Sequence, residues 1–197
     1  MPKHMDFFLS LASTYTYLAV NRAEQLATQA GVVLHWRPFS VRTLMIEQNN
    51  RPFAGKPVKL AYMWRDLERR AQRHGIAFAS VPPYPVDADG LANRVACLAA
   101  AEGWCPEFAK ASYRGWFLRY GDPGQVENLS RALRGTGREP DEIIARANSS
   151  EIHERLRAET DAARDLGIFG SPTFVCGTEV FWGDDRLEEA VEWCTSH

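Results

Sequence analysis

Ser13-Thr14-Tyr15-Thr16 follows the apolar run Phe7-Phe8-Leu9 and opens the helical pattern Tyr17-Leu18-Ala19. A strand that breaks at hydroxyl residues and re-enters as a helix leaves backbone N–H groups unpaired and a partial positive charge on the first turn. Such a terminus suits an anion, and the Ser13 hydroxyl can donate a hydrogen bond to one, a thiolate included. The simpler alternative is that Ser13 or Thr14 caps the helix. Two further segments stand out: Gly170-Ser171-Pro172-Thr173-Phe174 lies just before another apolar run, and Gly183-Asp184-Asp185 opens the last helix, where each aspartate could be a simple cap.

The elements that must position these residues are legible from periodicity. Asp6 to Leu11 read as a strand, and Thr16 to Ala30 as one helix with Tyr17, Val20, Ala23, Leu26, Ala27 and Ala30 on its apolar face. Gly31 supplies the left-handed position that ends it. Val32 to Phe39 is a second strand, so strand, helix and strand form a βαβ unit with parallel pairing. From Ser40 to Leu166 strand signals nearly vanish. Pro57 opens a helix along Leu60, Met63 (or Tyr62) and Leu67 that Gly75 closes, with Arg69, Arg70 and Arg73 on a solvated face. Helices follow over 91–101, 106–120, 126–133 and 140–147, and the capping-box spacing of Asn148 and Glu151 starts another that ends near Gly167. Thr173–Cys176 and Glu179–Trp182, joined by Gly177-Thr178, make a hairpin before a last helix to Cys194. The expected class is α/β, with residues 1–39 and 167–197 forming a discontinuous sheet domain and 40–166 an all-helical insertion.

The 197 residues, 45% hydrophobic and 24% charged, describe an ordinary globular chain. A net charge of −2 offers no footprint for nucleic acid, and no run approaches a membrane span or a secretory leader, so a cytoplasmic protein is expected. Cys97, Cys105, Cys176 and Cys194 form no Cys-x-x-Cys pair and no zinc spacing; all four are expected reduced and mostly buried. His35, His74 and His153 have no neighbouring ligand in sequence, so no metal is expected.

Taken together, the segments resemble a known group. Gly170-Ser171-Pro172 is similar to the cis-proline loop that faces the active-site helix of thioredoxin folds, with Ser13 where the redox relatives carry the first cysteine. A thioredoxin-like domain split by a helical insertion is the DsbA-like architecture. Within it the chain resembles the 2-hydroxychromene-2-carboxylate isomerases, relatives of the kappa-class glutathione transferases. The carriers are 11–19, Asn49-Asn50-Arg51-Pro52, 56–62, 169–173 and Trp182-Gly183-Asp184-Asp185-Arg186-Leu187. Many members have proline after the serine; here it is Thr14, which leaves the substrate open.

The resemblance implies glutathione as cofactor and a cis–trans isomerisation of a small aromatic substrate. Ser13, Thr14 and Tyr15 would surround the thiol. A cis Ser171–Pro172 bond would let Ser171 pair with the cysteinyl backbone. Asp184 and Asp185 would take the γ-glutamyl amine and carboxylate, and Asn49 or Asn50 would lie near the sulfur. Arg51, Lys56 and Arg94 are candidates for the substrate carboxylate, and Tyr84 for its ring. A kappa-like transferase acting on electrophiles, or a non-catalytic thioredoxin-like binding module, are the alternatives. Relatives are often homodimers; Trp104, Trp116 and Phe117 suit a helical core better than an interface.

Overall fold

The computed structural model describes residues 3–50 and 53–197, so the Arg51 expectation lies outside the described residues. The strands are β1 (Lys3–Leu9), β2 (Val32–Pro38), β3 (Thr173–Cys176) and β4 (Glu179–Trp182). They form one sheet in the order β2-β1-β3-β4, with β1 and β2 parallel, as the βαβ pattern requires, and β3 antiparallel to both neighbours. Between β1 and β2 lie α1 (Thr16–Val20) and α2 (Ala23–Gln29). The middle of the chain supplies α3 (Val41–Glu47), α4 (Pro57–Arg73), α5 (Leu91–Ala101), α6 (Cys105–Arg119), α7 (Val126–Arg134), α8 (Pro140–Ala147) and α9 (Ser150–Asp165), and α10 (Leu187–Ser196) closes the chain.

Side chains alternate across the sheet because successive strand residues point to opposite faces. Met5, Phe7, Leu9 and Phe174 join the larger core, with Leu18 of α1, Ala27 of α2 and Leu187 of α10. The same core runs on without interruption into Phe108, Trp116 and Phe117 of α6; Tyr17 and Phe117 stack with centroids 4.0 Å apart. Phe8 and Val175 face the other way, onto Val41 and Leu44 of α3 and Ala163 of α9. Burying each of the Val, Leu, Met and Phe side chains among these contributes about 1.5–3 kcal/mol, so both faces of the sheet are fixed firmly around its centre.

Four expectations are corrected. Thr16 to Ala30 is two helices: the Asn21 side-chain amide donates to the Tyr17 carbonyl at 2.7 Å, the acceptor a continuing helix would use, and Arg22 leaves the helical region. The cap of α9 is Ser149, whose hydroxyl accepts from Ile152 N; Asn148 ends α8 and donates back to Ile144 O. Cys176 and Cys194 are joined as a disulfide between β3 and α10, while Cys97 and Cys105 are free and buried. Arg70 leaves the solvated face to pair with Asp184. Among the described residues, no helix is long and apolar enough to cross a membrane.

Candidate active site

The turn from β1 into α1 is held at nearly every polar position. Ser13 N donates to Ser10 O at 3.0 Å, closing the turn. Asn93 of α5 accepts from Leu11 N at 2.9 Å, and the Tyr113 phenol of α6 reaches Ser10 O at 2.9 Å and Ser13 O at 2.8 Å. From the far end of the chain, Ser171 Oγ accepts from Ser10 N at 2.9 Å and lies 2.8 Å from Thr16 Oγ1. Ser13 Oγ donates to Ser171 O at 2.6 Å, and the Ser171–Pro172 peptide is cis as expected. Neither Ser13 nor Thr14 caps α1: the cap position is Tyr15, with no side-chain bond to the helix. The Ser13 hydroxyl is therefore directed across the site instead of along its own helix.

The cis-proline loop in turn holds the aspartate turn, through Gly183 N donating to Pro172 O at 2.9 Å. Asp184 to Arg186 form a single 3-10 turn before α10, and neither aspartate side chain caps a helix. Asp184 is buried, and both Nε and Nη2 of Arg70 donate to its Oδ2, at 3.1 and 2.7 Å. Burial nevertheless outweighs Arg70 and pushes the Asp184 carboxyl up to about 6. Asp185 is exposed, and among the described residues its one ion-pair partner is Arg186, at 3.3 Å. Tyr15 donates to Asp66 at 2.9 Å; burial first, then that carboxylate, raises its phenol well above the ordinary value.

The remaining expectations scatter. Asn49 occupies the left-handed position after α3 (φ 53°), the role of a helix terminator, and Asn50 is exposed beside it. Lys56 is exposed at the head of α4. Tyr84 is half-buried, edge-on to Phe53 and Trp64, each at 5.9 Å. Arg94 turns away, donating to Asp89 O at 2.6 Å and Asn148 Oδ1 at 3.0 Å.

Sequence reasoning missed the supports: Asn93, Tyr113, Arg70, and Asp87, whose carboxylate accepts from Ala92 N, Asn93 N and Asn93 Nδ2. The one available signal was an asparagine inside the alanine-rich face of α5, where a polar side chain has to find a buried partner.

Comparison with known proteins agrees with this geometry. The family model of the DSBA-like thioredoxin domain matches residues 4–192. The 2-hydroxychromene-2-carboxylate isomerase of Sphingobium xenophagum is 27% identical over 191 residues, 95% of this chain and 96% of that protein. Glutathione S-transferase kappa 1 of Caenorhabditis elegans is 25% identical over 202 residues, 95% of this chain and 89% of that protein. The solved structure of a selenomethionine 2-hydroxychromene-2-carboxylate isomerase shares the fold, with a TM-score of 0.84 at 24% identity over 96% of this chain and 93% of that one. With a cis-proline loop locked onto the first turn of α1 and a family match over nearly its whole length, the chain belongs to the DsbA-like thioredoxin-domain family.

Proposed function

We propose that this protein is a glutathione-dependent isomerase of the 2-hydroxychromene-2-carboxylate type. The observation that carries the reading is the Ser13 hydroxyl, 2.6 Å from the Ser171 carbonyl across the cis-proline loop, in the place of a redox cysteine. Relatives named as such isomerases and as kappa-class glutathione transferases support it.

The residues present suit a bound glutathione. No acceptor among the described residues takes the Ser171 N–H, leaving a donor for the cysteinyl carbonyl. A cysteinyl N–H arriving at Ser171 O would take over the role that Ser13 fills, and the freed hydroxyl would turn to the sulfur. Arg70 donates twice to Oδ2 of the buried Asp184, and this pair fixes the turn. The exposed Asp185 carboxylate is the group left for the γ-glutamyl ammonium, and the backbone N–H groups of the 3-10 turn for its carboxylate. When bound, glutathione supplies a thiolate whose reversible addition to a conjugated carbon permits rotation about the former double bond. Ser13 and the positive end of α1 hold that sulfur charged near neutral pH, where a free thiol of pKa about 8.5 keeps its proton.

The test is titration calorimetry with glutathione, together with an assay of 2-hydroxychromene-2-carboxylate isomerisation. Binding with glutathione-dependent isomerisation supports the proposal. A stable conjugate from a model electrophile without isomerisation selects the transferase, and no glutathione binding selects the binding module.

A further inference from the structure

Beside the Ser10–Ser13 turn, on the side of α3 and α9, the fold leaves a cleft of about 340 Å³ whose wall includes Ser10, Ala12, Arg42, Asn93, Leu156 and Thr160. The polar groups in this wall differ in what they have left to give. Asn93 is committed to Leu11 and Asp87, and Thr160 donates to Leu156 O. Arg164 is neutralised by Glu47 and Asp161, and Arg157 by Glu154. Asp87 is filled by three N–H donors, and Asp89 and His153 are exposed.

Two groups remain. Ser10 is 1% exposed, yet its hydroxyl has no hydrogen-bond partner among the described residues, although both its backbone groups are bonded. That hydroxyl opens onto the cleft, since among the described residues the fully buried side-chain atoms without a partner are Arg94 Nε and Ser112 Oγ, and it is free to meet an occupant. Arg42 spends one N–H on Val86 O at 2.9 Å and, among the described residues, pairs with no carboxylate.

We propose that this cleft is the acceptor-substrate site. It takes an aromatic carboxylate bearing a neighbouring hydroxyl or ring oxygen, with Arg42 on the carboxylate and the Ser10 hydroxyl on that oxygen. The inference rests on the isomerase reading. Ala12 in the wall is the residue before Ser13, so the cleft opens beside the chain segment that carries Ser13. The volume falls at the small end of ligand pockets, about 300–1,000 Å³, which suits a one- or two-ring acid and not a peptide. Arg42 thereby takes the place of Arg94, whose guanidinium is held by Asp89 O and Asn148.

The experiment uses the whole protein and the variants Ser10→Ala and Arg42→Met. Three quantities are measured: KM for 2-hydroxychromene-2-carboxylate, Kd for glutathione, and Kd for salicylate as a probe that needs no turnover. Ser10→Ala deletes a hydroxyl with no protein partner, so its melting temperature should stay unchanged while KM and salicylate Kd rise about two- to ten-fold. Arg42→Met should raise both about ten- to a hundred-fold, with glutathione Kd unchanged in each variant. Unaltered KM and salicylate affinity in an active protein overturn the site and leave the isomerase reading standing. If the wild type neither binds glutathione nor turns over, the isomerase reading fails. The cleft is then upheld by salicylate binding that both variants lose, and overturned by a wild type that does not bind salicylate.

Discussion

Asn93 shows how much of the site is built from outside it. Its buried amide bridges Asp87 and Leu11 N, so Asn93→Ala strands a buried N–H and removes a partner from a buried carboxylate. The expected cost is about 1–3 kcal/mol, read as a lower urea midpoint with an unchanged slope; a wild-type midpoint would show that the bridge carries no weight. Asp184 gives a pH signature. Its folded carboxyl keeps its proton up to about 6, whereas the unfolded one releases it near 3.8. The native state thus binds more protons between these values, and stability falls as pH rises through that window. Asp184→Asn should flatten that fall in urea titrations across the range, and an identical slope in both proteins would contradict it. Ser13 and Ser171 were legible in the sequence because each marks a local change from one backbone pattern to another. Asn93 and Arg70 were not, since their partners lie 82 and 114 residues away and no local pattern records them.

Element boundaries were legible where proline and glycine punctuate the chain. Pro57 opens α4, Pro140 opens α8, and Gly31 and Gly75 take left-handed φ values at helix ends. The break at Asn21 was hidden because the apolar period continues through it while a side chain displaces one backbone bond. The disulfide was hidden too: nothing local reports that β3 and α10 bring Cys176 and Cys194 together, 18 residues apart. Thiol titration of the unfolded, unreduced protein should find the thiols of Cys97 and Cys105 alone, and reduction should lower stability by about 3 kcal/mol for a loop of that length. Four reactive thiols before reduction would remove the crosslink from the account. Gly170 is a tighter constraint on the site. A Cβ there would lie 2.2 Å from Trp182 Nε1, so Gly170→Ala must displace the indole or the cis-proline loop. Glutathione affinity should fall in a variant that still folds, and unchanged affinity would show that the loop tolerates the shift.

At the scale of the whole molecule, the alternation of strand and helix patterns gave the class and the parallel β1–β2 pair, but not the placing of β3 between β1 and β4. That order depends on the last quarter of the chain returning to the first, and it is what brings Ser171 against Ser13. The helical segments were legible as helices, while their packing was not: α3 and α9 cover one face of the sheet, and α6 shares the core of the other. On the proposed reading, this assembly holds a charged sulfur at Ser13. Ultraviolet titration of glutathione bound to the wild type and to Ser13→Ala tests it most directly. The wild type should carry the thiolate well below the pKa of the free thiol, about 8.5, and the variant should lose it over one to two pH units, with turnover falling about ten- to a hundred-fold and glutathione affinity little changed. A Ser13→Ala protein with the wild-type thiolate absorbance and wild-type turnover would contradict the claim.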